Sequence, residues 1–144
     1  MVLTAHLGAP QMNEATPWGR RKVVPVLGGT FEGERLRGTI DSLGGHDWAL
    51  ERTDGHLVLD VRLVLRSDDG ATILMTYHGI RSGPAEVLNR LARKEPVDAS
   101  EYYFRIAPRF ETGSPDYAWL NDLVCVGMGE RLDVGPRYTI FEIL

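Results

Sequence analysis

Apolar and polar residues alternate with a period of two over much of this chain. Leu57, Leu59, Val61, Leu63 and Leu65 fall on one face of an extended segment, and Val58, Asp60, Arg62 and Val64 fall on the other. The Asp54-Gly55 pair before this run suits the positive backbone angles of a tight hairpin turn. A second turn at Asp69-Gly70 leads into Thr72 to His78, a run rich in β-formers, so the two runs predict a meander. Upstream, Val23, Val24, Val26 and Leu27 predict a strand interrupted by Pro25, which has no N–H to give a ladder and so favours an edge or a bulge. Gly28-Gly29 breaks that run and Thr30 to Glu32 resumes it. Leu36 to Ser42 reads as another extended piece, and Trp48 to Glu51 opens the strand after the Gly44-Gly45 turn. Tyr102 to Ala107, Val124 to Met128 and Tyr138 to Ile143 complete roughly eight to ten segments, the regular spacing of a barrel or sandwich.

Two segments break this pattern. Pro84 sits where a first helical turn tolerates it, and Val87, Leu88 and Leu91 recur at helical spacing, which predicts a helix within Gly83 to Lys94. Ser114-Pro115 offers an N-cap and a first-turn proline for a short helix carrying Tyr117, Trp119 and Leu120. Both read as connectors that plug or cover the sheet.

Composition narrows the class further. The 144 residues fit one domain, 1–144, and their 43% hydrophobic and 25% charged content matches ordinary globular usage rather than disorder. A net charge of −4 argues against partners with anionic surfaces, so neither nucleic acid nor membrane is expected. Cys125 is the one cysteine, which excludes an intrachain disulfide. Met1 to Gln11 lacks the basic start and sustained apolar run of a signal peptide, so a cytoplasmic protein is expected.

Motifs for nucleotide or nucleophile chemistry are missing. Gly127-Met128-Gly129 lacks the third glycine and following helix of a dinucleotide fingerprint and reads as a β-turn or bulge. The four histidines stand apart with no metal-ligand spacing, so no metal and no cofactor are expected. His78, near a strand end, is the best placed of them.

Charge on strands is the more informative signal. Asp60 and Arg62 share one face of a strong strand, Tyr103 and Arg105 share one face of another, and Glu32 follows a glycine pair. Were these faces to point into a barrel, they would line a cavity able to orient a polar head on an apolar ligand. The other reading points them to water as ordinary cross-strand pairs. Periodicity fixes the alternation and leaves the direction open.

Several strings resemble one family. They are Gly19-Arg20-Arg21-Lys22-Val23-Val24-Pro25-Val26, Gly28-Gly29-Thr30-Phe31-Glu32-Gly33, Asp68-Asp69-Gly70-Ala71, Glu101-Tyr102-Tyr103-Phe104-Arg105, and Arg109-Phe110-Glu111-Thr112-Gly113 leading to Tyr117-Ala118-Trp119-Leu120-Asn121. In order and spacing this is similar to the domain of unknown function 3237 family, also called uncharacterised protein family 0311. The resemblance implies an all-β fold, a single antiparallel β-barrel of lipocalin-like or allene-oxide-cyclase-like type with one or two short connecting helices. Thr76-Tyr77-His78-Gly79 and Arg81-Ser82-Gly83 depart from the family's commoner pattern.

The expected function is cofactor-independent binding of a small apolar molecule bearing a carbonyl or carboxylate, with acid/base isomerisation, cyclisation or lyase chemistry as the narrower reading. Glu32 or Asp60 is the expected base, Arg62 and Arg105 hold the anion, and Tyr77 and Tyr103 donate hydrogen bonds. Trp48, His78 and Trp119 are the expected ligand contacts. A non-catalytic carrier or sensor, and a structural or interaction protein with a solid barrel, are the alternatives. A strand edge beginning near Val23 suits a homodimer.

Overall fold

The computed structural model describes residues 1–144. Its strands are β1 (Val2–Leu7), β2 (Met12–Thr16), β3 (Gly19–Glu32), β4 (Arg37–Ile40), β5 (Gly45–Glu51), β6 (Leu57–Ser67), β7 (Thr72–Ser82), β8 (Tyr103–Glu111), β9 (Cys125–Arg131) and β10 (Pro136–Glu142). Helix α1 (Ala85–Ala92) and a 3-10 turn (Ala99–Glu101) link β7 to β8, and a 3-10 segment (Pro115–Asp122) links β8 to β9. No helix is long and apolar enough to cross a membrane.

All the strand pairings are antiparallel. β1 and β2 lie end to end along one side of β3, and β4 and β5 lie end to end between β3 and β6. Ten strands thus occupy eight positions around a closed barrel, completed by β1, which pairs with β3 on one side and β10 on the other. Closure leaves almost no bare edge, and the one strand with a single partner is β2. Val23 is not an edge, because β3 is paired there with β2 on one side and β5 on the other.

The expected meander stands as β5, β6 and β7. Its turns carry Gly55 (φ 81°) and Gly70 (φ 90°) at the positive angles their sequences suggest. Three details differ from the sequence reading. Pro25 does not interrupt β3, since its missing N–H falls where β1 has ended and β2 has not begun, and its carbonyl accepts from Gly8 N–H at 2.9 Å. Gly28 and Gly29 lie inside the same strand, at φ 143° and 142°. A Cβ on Gly29 would stand 2.1 Å from the Thr4 carbonyl oxygen, so only glycine lets β1 and β3 approach here. Finally, Gly127-Met128-Gly129 is neither turn nor bulge but the middle of β9.

Alternating residues of every strand but β2 fill the barrel. Leu3, Phe31, Leu65, Ile73, Met75, Phe104 and Tyr138 are fully buried at its centre. The β9 glycines face this interior and make room for large neighbours. A Cβ on Gly129 would lie 2.8 Å from the Phe104 ring and 2.9 Å from the Tyr138 ring. Gly129→Ala is therefore expected to destabilise the protein by about 1–3 kcal/mol through overpacking, read as a lower urea midpoint with an unchanged slope.

Helix α1 buries Val87 and Leu91 against the same core, and the Pro115–Asp122 segment buries Leu120. Each thus covers part of the barrel, as their apolar spacing suggests. Pro84 stands at the N-cap of α1, and Pro115 in the first turn of its 3-10 segment.

Candidate functional site

The alternation of β6 resolves which faces point inward. Leu59, Val61, Leu63, Leu65 and Ser67 are buried, which sends Asp60 and Arg62 to the outer surface. The expectation that these two line the barrel interior is corrected accordingly: four apolar side chains and Ser67 claim the interior, and the charged alternates go to the outside. Tyr103 and Arg105 meet the same outcome on β8, where Phe104 and Ile106 point in. The Arg105 guanidinium lies 4.9 Å from the Tyr103 ring centre and donates to the Phe104 carbonyl at 2.9 Å. Glu32 is exposed at the end of β3.

The expected ligand contacts are also dispersed. Trp48 is 54% exposed on the outside of β5. His78 is exposed on β7 with Nδ1 3.7 Å from the Asp60 carboxylate, an outer-surface pair. Trp119 is half-buried at another part of the fold, beneath the Arg35 guanidinium at 3.6 Å. Of the nine expected residues, Tyr77 alone faces the barrel interior among the site's polar groups.

Inside, a different polar cluster surrounds Tyr77. Its hydroxyl lies 3.4 Å from that of Tyr138, with the rings edge to face at 5.4 Å, and Phe104 stacks edge-on to Tyr138 at 5.3 Å. Burial raises both phenols well above their ordinary range, so they act only as neutral hydroxyls. Asp47 belongs to the same field. It is buried on β5 between Gly45 and Ala49, two small inward residues, and accepts a hydrogen bond from Asp60 N–H at 3.3 Å. Loss of water around Asp47 pushes its carboxyl up to about 7; the Asp60 charge adds to this, while the Asp60 N–H, Arg81 and Arg21 oppose it.

Two arginines complete the cluster. Arg81, near the end of β7, pairs across the sheet with Leu57 and Phe104 and so shares their inward face. Its Nε is buried without a hydrogen-bond partner. Arg131 ends β9, its N–H donating to the Tyr102 hydroxyl at 2.8 Å and its guanidinium to the Leu132 carbonyl. Neither arginine forms an ion pair. Burial, and for Arg81 the nearby Arg131 charge, lowers the proton affinity of both guanidinium groups.

Arg131 also faces solvent on its other side. Residues 94–98 after α1 and residues 131–134 of the β9–β10 turn line an open groove of about 790 Å³, and a narrower cleft beside Leu91 also ends at Arg131. The arrangement holds cationic charge and neutral hydroxyl donors near a carboxyl that exchanges its proton close to neutral pH. It is suited to stabilising an organic oxyanion and to moving a proton. No three His, Cys, Asp or Glu side chains lie close enough together to hold a metal ion.

The sequence carried a signal for these residues. Gly45, Gly79, Gly127 and Gly129 occupy inward positions, and counting by two from them reaches Asp47, Arg81 and Arg131.

A family model described as "Protein of unknown function (DUF3237)" matches residues 1–143. A UPF0311 protein of Rhodopseudomonas palustris is 38% identical over 130 residues, 90% of this chain and 84% of that protein. Its crystal structure, of a conserved protein of unknown function, superposes with a TM-score of 0.94 at 35% identity, covering 99% of this chain and 93% of that one. A β-barrel-like protein of Acinetobacter baumannii AYE gives a TM-score of 0.82 at 38% identity, over 98% of this chain and 90% of that one. An enzyme from Penicillium herquei shares the fold with a TM-score of 0.68 at 20% identity, over 97% of this chain and 90% of that one.

Proposed function

The chain belongs to the DUF3237 family, and from the groups gathered at one end of its barrel we propose that it binds a small organic molecule carrying a carbonyl or carboxylate and transfers protons on it. The observation that carries this reading is Arg81, a half-buried arginine on the inward face whose Nε is buried without a partner and which forms no ion pair. A partly desolvated cation without a counterion is costly, and an arriving anion offsets that cost. Arg131 lies close enough to Arg81 to depress its proton affinity, so the two provide charge for one ligand oxyanion.

In the chemical step, the ionised Asp47 carboxylate takes a proton from the carbon next to a carbonyl. The C–H electron pair moves into a new C=C bond, and the carbonyl π pair moves onto oxygen. Arg81 and Arg131 hold the resulting enolate, with tyrosine hydroxyls as further donors. Where a C=C is conjugated with the enolate, return of the proton from Asp47 to the far carbon of that dienolate shifts the double bonds and re-forms the carbonyl, which is isomerisation. Departure of a group from the β-carbon, with its bonding pair, gives a lyase reaction instead. The value near 7 keeps both the base and acid forms of Asp47 populated at neutral pH.

The test is a thermal-shift and calorimetric panel of small carboxylates, 1,3-dicarbonyls, enones, lactones and phenols. A ligand at about 100 times its dissociation constant should stabilise the protein by ~2.7 kcal/mol. Binding that weakens as pH rises above 7 is expected, because an ionised Asp47 repels an anion and competes for Arg81. Asp47→Asn is expected to keep the ligand and lose turnover. Binding unaffected by changes at Arg81 would overturn the site, and turnover surviving in Asp47→Asn would overturn the role of Asp47.

A further inference from the structure

Three arginines make neither a hydrogen bond nor an ion pair. One is Arg81; the others, Arg62 and Arg109, are on the outside of the barrel. These two belong to one row, since His46, Arg62, Thr76 and Arg109 are successive cross-strand partners on β5, β6, β7 and β8. Neighbouring strands are ~4.8 Å apart, so the two arginine backbones stand about 10 Å apart with Thr76 between them. Both side chains are long enough to converge above the threonine hydroxyl.

A groove of about 420 Å³ opens along this row. Beside the cations, Val64 and Leu74 pair across β6 and β7 to give it an apolar strip, with Leu74 43% exposed. Gly44 closes that end against Val64, where a Cβ would stand only 2.5 Å from the valine Cγ2. Glu111 at the edge is the one carboxylate in the lining, and it forms no ion pair. On a chain with a net charge of −4, this is a local excess of positive charge joined to an apolar surface.

We propose that this outer groove binds an aryl or alkyl phosphate monoester, its phosphoryl oxygens held by Arg62, Arg109 and the Thr76 hydroxyl and its apolar group laid on Val64 and Leu74. A phosphate monoester carries about −1.5 to −2 charges at neutral pH and three strong acceptor oxygens against the two guanidinium groups, whereas a carboxylate carries a single charge. The apolar strip selects an ester over inorganic phosphate. The proposal is independent of the interior site, which lies on the other face of the same strands.

Calorimetric titration of the intact protein with phenyl phosphate, inorganic phosphate and benzoate tests it. Phenyl phosphate is expected to bind roughly 10-fold more tightly than either of the others, and Arg62→Ala or Arg109→Ala to weaken it by about 10-fold. Leu74→Ser should erase the preference for phenyl phosphate over inorganic phosphate, and Arg81→Met should change neither. Phenyl phosphate that fails to bind at about 10 mM, binds no better than benzoate to the Arg81→Met protein, where the interior site no longer competes for benzoate, or binds equally well to the Arg62→Ala/Arg109→Ala double variant would overturn the proposal. A loss of phenyl phosphate binding in Arg81→Met would overturn it too, by assigning the binding to the interior.

Discussion

Arg81→Met is expected to make the free protein more stable and to weaken about 100-fold the binding of carbonyl and carboxylate ligands at the interior site. The two effects have one cause. Arg81 holds a half-buried guanidinium with a buried, orphaned Nε and no ion pair, beside a second cation, Arg131. Methionine fills a similar volume without a charge to desolvate, and replacing buried charge by apolar groups of similar shape is neutral or stabilising by roughly 1–4 kcal/mol. The same exchange removes a charged donor to the ligand, worth on the order of 3 kcal/mol or about 100-fold in affinity. Thermal melts with and without the best panel ligand measure both at once. A variant that melts lower than the parent while binding ligand normally would show Arg81 to be a structural residue.

The second large effect is in the pH dependence of Asp47→Asn. The folded carboxyl sits near 7, above its ordinary value of 3.8, so the native state binds this proton more tightly than the unfolded chain. The stability it contributes is complete below about pH 4 and is lost as pH rises towards 7 and through it. Above that range the parent carries a buried charge that asparagine does not, and the difference amounts to ~4 kcal/mol at most. Asparagine retains an oxygen to accept from Asp60 N–H. The variant should therefore melt on the order of 10 °C higher than the parent at pH 8, with the gap closing by pH 4. Parallel stability profiles across this range would mean that Asp47 titrates as an ordinary surface carboxylate.

Much of the architecture was legible because β-structure leaves a short-range record. Asp54-Gly55 and Asp69-Gly70 mark hairpin turns, and the alternation from Leu57 to Leu65 marks the buried face between them. Pro84 and Ser114-Pro115 mark where the chain leaves the sheet. What local pattern does not record is assembly. β1 and β2 make sense only as two pieces sharing one side of β3, and Pro25 fits its strand because a gap between those pieces faces it.

The site was less legible for a related reason. Asp60, Arg62, Tyr103 and Arg105 drew attention because they are charged or phenolic on strong strands, yet a strong strand announces its inner face by its apolar residues. The interior polar groups instead follow small residues: Asp47 between Gly45 and Ala49, Arg81 two after Gly79, Arg131 two after Gly129. Tyr77 lies on a run legible as a strand, although its inward direction was not, and its partner Tyr138 lies 61 residues away in sequence, at a contact that only closure of the barrel creates.

That closure also governs how the protein folds. Val2 pairs in register with Thr139, and the Met1 amino group donates to the Ile140 carbonyl at 2.9 Å, so the seam joins opposite ends of the chain. During synthesis the first strand has β3 to pair with early but must wait for the last strand to emerge before its other side is satisfied. Until then β1 presents an open row of N–H and C=O groups to any passing strand. High contact order of this kind slows folding, and the unfinished barrel, rather than the native one, is the state most exposed to aggregation.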